Sequence, residues 1–158
     1  MAAPDSNSPQ EEAKLVAALQ RWADGKATLR DVRGYTDEEL YAIAKTAYFF
    51  FYQGRLNEAR TLFQGLYAIN PADSYFAKAL GVVELASGNA QGALAAYDVA
   101  IKLSPNDAQA YVGRAEVKLT LGQKAQAVED LRRAASLVPE EDPVGRKAAA
   151  MVSTLSRR

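Results

Sequence analysis

One interval, 34 residues, governs the middle of this chain. It separates Gly54, Gly88 and Gly122, and it also separates Ala59, Ala93 and Ala127. Phe63, Tyr97 and Leu131 keep the same spacing, as do Leu66, Ala100 and Ala134, and the prolines Pro71, Pro105 and Pro139. Five positions hold one register through three units without an insertion or deletion, which composition alone does not produce. Repeats of this length are supersecondary units that cover their apolar faces by stacking on neighbours.

Each recurring position has a physical meaning. The glycine falls between two helical segments, where a tight turn favours a residue free to take positive φ. The alanine after it lets one helix approach its neighbour closely, and the aromatic or leucine one turn later fills the contact. Proline stops the second helix. Asn70-Pro71-Ala72-Asp73 and Ser104-Pro105-Asn106-Asp107 read as turns, with Asp73 or Ser74 and Asp107 as helix N-caps. The pattern predicts first helices near 40–52, 74–87 and 108–121, and second helices near 56–69, 90–103 and 124–138.

This helix–turn–helix unit, with its ordered Gly, Ala, aromatic, Ala and Pro, resembles the tetratricopeptide repeat over about residues 40–139. The resemblance implies an all-α superhelix of three units, first helices lining a concave face and second helices behind. Such an array needs its terminal apolar faces covered. Upstream, Leu15, Ala18, Leu19 and Trp22 recur at helical spacing, an amphipathic helix. A capping box in Thr36-Asp37-Glu38-Glu39 then starts the first repeat helix. Downstream, Pro143 opens a last helix with Val144, Ala148, Met151, Val152 and Leu155 on one stripe. The expected organisation is a disordered segment 1–9, an amphipathic helix and linker 10–35, three repeats 36–142 and a C-terminal capping helix 143–158.

Composition removes several function classes. There is no cysteine and no histidine, so thiolate metal sites, disulfides and imidazole acid–base chemistry are absent. Nineteen basic residues balance nineteen acidic ones, leaving no basic excess for nucleic acid. The most apolar stretch, 42–52, contains Lys45 and is far shorter than the roughly 20 residues that span a bilayer. Residues 1–9 lack the apolar core of a secretory signal. Glycine-rich phosphate loops are missing, and the glycines read as repeat turns. Glu140-Glu141-Asp142 suits the start of a helix, where carboxylates are favoured. The expectation is a cytoplasmic, non-catalytic protein without cofactor or metal, and without nucleic-acid binding or membrane insertion.

The first repeat helix carries the strongest hint of a ligand. Tyr48-Phe49-Phe50-Phe51-Tyr52 are five consecutive aromatics on a helix that turns about 100° per residue, so they cannot share one core. With Ile43, Ala47 and Phe50 assigned to the core, Tyr41, Ala44, Tyr48 and Phe51 fall on the concave side. Phe49 is expected to face the N-terminal helix or a second subunit. The same offsets give Tyr75, Lys78, Val82 and Leu85, then Gln109, Val112, Glu116 and Leu119. The predicted peptide-binding set is Tyr41, Ala44, Tyr48, Phe51, Tyr75, Lys78, Val82, Leu85, Val112 and Glu116. Such an aromatic concavity suits an extended peptide with spaced apolar anchors.

A narrower resemblance lies in residues 25–73. Gly25, Thr28-Leu29, Asp31, Leu40-Tyr41, Ala47-Tyr48, Gly54-Arg55, Glu58-Ala59, Phe63-Gln64, Leu66 and Asp73 are similar to the opening of chaperones for type III secretion translocators. That resemblance implies a cytoplasmic protein that clamps an extended apolar segment of a hydrophobic translocator in the groove and keeps it soluble before export. It also implies homodimerisation through N-terminal helices. It places ligand contacts at Ala44, Tyr48, Phe51, Lys78, Val82 and Leu85. The chain departs in having Ala44 where many relatives have an aromatic residue. A general repeat adaptor, for example one clamping a partner's terminal carboxylate, is the alternative. That chemistry asks for several cationic or amide side chains on the concave face, where Lys78 is the clear candidate.

Overall fold

In the computed structural model, which describes residues 9–24, 26 and 29–157, the chain folds into nine helices among the described residues. They are α1 (Pro9–Ala23), α2 (Leu29–Arg33), α3 (Asp37–Tyr52), α4 (Leu56–Ile69), α5 (Ser74–Ala86), α6 (Ala90–Leu103), α7 (Ala108–Thr120), α8 (Lys124–Leu137) and α9 (Pro143–Ser156). Three helix pairs, α3–α4, α5–α6 and α7–α8, match the predicted units, and the predicted last helix is α9. Pro9 opens α1 rather than closing the segment before it, a position where its missing N–H is harmless. Residues 1–8, expected to be disordered, lie outside the described residues, as do the side chains of Leu15, Ala18, Leu19 and Trp22. The short helix α2 was not foreseen in the linker. No helix among the described residues is long and apolar enough to cross a membrane.

The local signals are used as the sequence suggests. Thr36 and Glu39 form the full capping box: Thr36 Oγ1 accepts from the Glu39 amide at 3.2 Å, and the Glu39 carboxylate accepts from the Thr36 amide at 2.9 Å. Asp73, Asn89, Asp107 and Asp142 cap α5, α6, α7 and α9 in turn. Each turn inside a unit closes the same way. Gly54, Gly88 and Gly122 stand at φ 76°, 81° and 76°, and the amide after each reaches back to the carbonyl five residues earlier. That left-handed residue and its back-bond satisfy carbonyls the helix end would leave bare.

Successive helices pack in chain order from α3 to α9, with α7 also touching α9. The core of the first unit is Leu40, Ala44 and Ala47 against Ala59, Phe63 and Leu66, with Phe76 and Val83 from the next helix. The second unit buries Ala77, Ala93, Tyr97 and Ala100; the third joins Val112, Ala115, Leu131 and Ala134 to Ala148 of α9. Phe63, Phe76, Leu40, Leu66 and Leu131 are wholly buried, each removing apolar area worth about 1.5–3 kcal/mol.

One core assignment needs correction. Ile43 and Phe50 are only half-buried, while Ala44 is 1% exposed. The buried stripe of α3 is Leu40, Ala44 and Ala47, spaced four and three apart, facing Ala59 and Phe63 of α4. Ile43 and Phe50 pack against the edge of this core, Phe50 with the Arg55 guanidinium over its ring at 4.2 Å.

Two buried carboxylates tie helices together, and among the described residues no buried side-chain polar atom lacks a partner. Glu84, 4% exposed, accepts from Arg60 at 2.8 Å, Gln64 at 3.1 Å and Asn89 at 2.6 Å. Burial pushes its pKa up, but the bonds from Arg60, Asn89 and Gln64 outweigh that and hold it below the ordinary carboxylate range. A depressed folded pKa gives stability that is present above the unfolded value of about 4.3 and lost as pH falls through the folded value. Glu84→Gln is therefore expected to cost about 2 kcal/mol at pH 7. The gap to wild type should close as the pH is lowered below about 4.3. Urea denaturation at pH 7 and pH 3 checks this; a gap independent of pH contradicts it.

Candidate functional site

The helical turn of about 100° per residue sorts the predicted contacts into rows. Tyr48, Val82 and Glu116 share one repeat position, and Tyr41, Tyr75 and Gln109 share another. On α3 these two rows lie about 20° apart round the helix, whereas the rows of Ala44 and Phe51 are turned about 40–60° away from Tyr48 on its other side. The structure separates them accordingly.

A cavity of about 390 Å³ opens where the first helices of the three units stand side by side. Tyr48 lines it from α3, Lys78 and Val82 from α5, and Gln109, Val112, Gly113 and Glu116 from α7. Five predicted contacts thus come together: Tyr48, Lys78, Val82, Val112 and Glu116. Tyr41 and Tyr75 form an aromatic row beside it: Tyr75 meets Tyr41 at 5.4 Å and Tyr48 at 6.4 Å between ring centroids, both edge-on. Edge-to-face pairs are the favoured geometry for such rings. Phe51 and Leu85, sharing one repeat position, are half-buried against the first and second cores and do not line the cavity. Ala44 is withdrawn as a contact, since its short side chain points into the core. Lys78 occupies the same repeat position, but its longer chain reaches round to the cavity.

Tyr97, Gly113, Pro143, Val144 and Lys147 also line the cavity and lie outside the predicted contact set. Tyr97 of α6 comes from behind to make the floor, its ring 4% exposed. It lies against α5 and α7 at the two places where those helices have no side chain: a Cβ on Gly81 would stand 2.8 Å from the ring, and one on Gly113 would overlap it. These glycines are therefore not turn residues but contact residues. Pro143, Val144 and Lys147 of α9 form the remaining wall. A signal for them existed: one further step of 34 carries Gln109 to Pro143 and Gly113 to Lys147.

The electrostatics of the cavity are balanced. Lys78 Nζ donates to Asp107 at 2.6 Å and to Gln109 at 3.4 Å, and Lys147 Nζ donates to Glu116 at 2.6 Å. Burial, aided by Tyr75, pushes the Tyr48 hydroxyl well above the usual phenol range, and burial does the same for Tyr97. Tyr41, whose hydroxyl donates to Asp73 at 2.7 Å, is pushed up to about 12 by that bond and by burial. These phenols stay protonated near neutral pH, and the face presents neutral rings with hydroxyl tips. Among the described residues no group of three or more carboxylates is placed to hold a metal. Chemically the arrangement can enclose apolar side chains and hydrogen-bond a backbone.

Comparison with known proteins agrees with this geometry. The family model described as tetratricopeptide repeat matches residues 45–108 and 78–143, together more than half of the chain. No curated protein matches the sequence. Among solved structures, the type III secretion translocator chaperone SycD of Yersinia enterocolitica superposes with a TM-score of 0.76 at 22% identity, covering 81% of this chain and 98% of that one. The same chaperone in complex with a peptide of the translocator YopD gives 0.70 at 22%, covering 77% and 95%. A type III secretion complex from Aeromonas hydrophila gives 0.80 at 20%, covering 89% and 95%. Three stacked units, their glycine turns and the family match establish that this chain belongs to the tetratricopeptide-repeat family.

Proposed function

We propose that this protein is a non-catalytic, cytoplasmic chaperone that holds an extended apolar segment of a hydrophobic type III secretion translocator in the cavity between its first helices. The observation that carries this reading is the cavity itself: three repeat units and α9 contribute to one continuous concavity whose cations are already neutralised. A neutral, partly aromatic cleft favours apolar side chains on an extended backbone. Support also comes from the fold shared with SycD, which has been seen holding a translocator peptide. The resemblance of residues 25–73 to such chaperones points the same way. Homodimerisation belongs to the same proposal. It rests on α1 and on the apolar surface near the start of the array, where Val16, Phe49 and Tyr52 are 65%, 59% and 80% exposed.

A carboxylate-clamping adaptor fits less well. Such a clamp needs cationic side chains free to meet the ligand. Here Lys78 is held by Asp107 and Lys147 by Glu116.

Co-expression with a hydrophobic translocator from the same genome is expected to yield a soluble complex. A folded Tyr48→Ala, Val82→Ala double variant should retain roughly a tenth of the translocator or less, since central aromatic and aliphatic anchors dominate such interfaces. Capture at the wild-type level by that variant, with its helical circular dichroism unchanged, removes the cavity from the account.

A further inference from the structure

The last helix of a repeat array is ordinarily a cover for the final apolar face. Here α9 does that with Ala148, which is wholly buried against the third unit, and with Val144, Met151, Val152 and Leu155 packed beside it. Its other contribution is different. Pro143, Val144 and Lys147, all in the first turns of α9, face the cavity between Tyr48, Val82 and Val112. They occupy repeat positions that, one unit earlier, belong to Gln109, Ala110 and Gly113 of α7. Helix α9 thus stands in the ring of first helices.

We infer that α9 is a wall of the ligand site, where Val144 and Lys147 are specificity-determining residues selecting an uncharged aliphatic side chain on the bound segment. This rests on the proposal that the cavity holds an extended peptide. The choice of side chain follows from the chemistry of the walls. Val82, Val112, Val144 and the Tyr97 ring, which is seated against Gly113, make the interior apolar. The rim is charged yet internally neutralised, with Lys78 on Asp107 and Lys147 on Glu116, each at 2.6 Å. A charged side chain entering there would be desolvated without a free counter-ion, which is unfavourable. An aliphatic one meets apolar atoms on several sides. The Gln109 amide at the rim is suited to a backbone carbonyl or amide beside the anchor.

The test uses peptides selected from a random dodecamer phage library against the full chain, synthesised with both ends blocked. Selected peptides are expected to share an aliphatic residue. In methyl NMR of the wild-type complex, its methyl protons should show nuclear Overhauser effects to Val144 and Val82. Val144→Arg, which places a cation inside the cavity, should weaken binding at least about tenfold, as loss of a buried anchor does. Lys147→Glu, an exposed change that sets two carboxylates together across the rim, should weaken it as well and serves where Val144→Arg fails to fold. If Tyr48→Ala abolishes binding while the Overhauser contacts to Val144 are missing and Lys147→Glu binds as wild type, the role of α9 is wrong and the groove stands. Peptides that bind equally to the Tyr48, Val144 and Lys147 variants, or a library that yields no binder, overturn both.

Discussion

Tyr97→Ala is expected to be among the most damaging single changes in this protein, costing about 3–5 kcal/mol, the range for truncating a buried aromatic. For a chain of this size that corresponds to a fall in melting temperature of roughly 10 °C or more. The ring is 4% exposed and joins three helices, since it comes from α6 and fills the space left by Gly81 on α5 and Gly113 on α7. The same reasoning predicts a sign change at Gly113. With Tyr97 present, Gly113→Ala puts a methyl group into the ring and should destabilise by about 1–3 kcal/mol, as overpacking does. In a Tyr97→Leu background the clash is relieved, and the helix preference for alanine, up to about 1 kcal/mol, should make the same substitution neutral or stabilising. Thermal unfolding of the four proteins in this cycle decides it. Additive effects would mean that ring and glycine do not meet as described.

The second large effect is expected at Asp130. Its carboxylate, 7% exposed, accepts from the Arg114 guanidinium at 2.7 and 2.9 Å and pairs with Lys118 at 2.7 Å. Removing the acid leaves two cations with 19% and 13% of their side chains exposed. Breaking a buried pair in this way costs about 3–5 kcal/mol, and the lower end applies because both cations reach some solvent. Asp130→Ala should therefore cost about 3 kcal/mol. Asp98 is the contrast. It bonds the same Arg114 at 2.9 Å but is 55% exposed, so Asp98→Ala should cost less than about 1 kcal/mol. Urea denaturation of both variants checks the ranking. Equal losses would show that burial of the acid is not what matters. Replacing Asp130, Arg114 and Lys118 together by apolar residues of similar size should recover much of the loss, since only the exposed Asp98 charge is then left without its partner.

How much of this was legible beforehand depends on which physics each feature uses. The helices were, because their ends are set by local chemistry: the Thr36–Glu39 box, the Asp73 and Asp107 caps, Pro143 at the start of α9, and the glycines at φ near +80°. The stacking was, because a 34-residue period has one economical packing. The ligand face was legible only in part. Tyr48, Val82 and Glu116 share a repeat position and all reach the cavity, so the row could be read from spacing. Ala44 could not be placed by spacing alone. Its row is turned some 40° from that of Tyr48, close enough that side-chain length decides, and Lys78 reaches where Ala44 cannot. Tyr97 was read as filling a contact between helices, which it does, but its second role as a floor depends on Gly81 and Gly113 lying opposite it in space. Helix α2 is too short for periodicity to reveal. Lys147 and Val144 were hidden for a simpler reason: α9 reads as a cap when the repeat is counted only three times.

Binding of an extended apolar segment to the cavity is the central claim, and a methyl-labelled titration tests it most directly. Probes are the YopD peptide held by SycD and the peptides selected against this chain, each prepared with its terminal carboxylate free and with it amidated. Shifts concentrated at Val82, Val112 and Val144, unchanged by amidation and lost in Tyr48→Ala, are what the account predicts. Shifts confined to surfaces away from these three valines, or binding that disappears when the carboxylate is blocked, would contradict it.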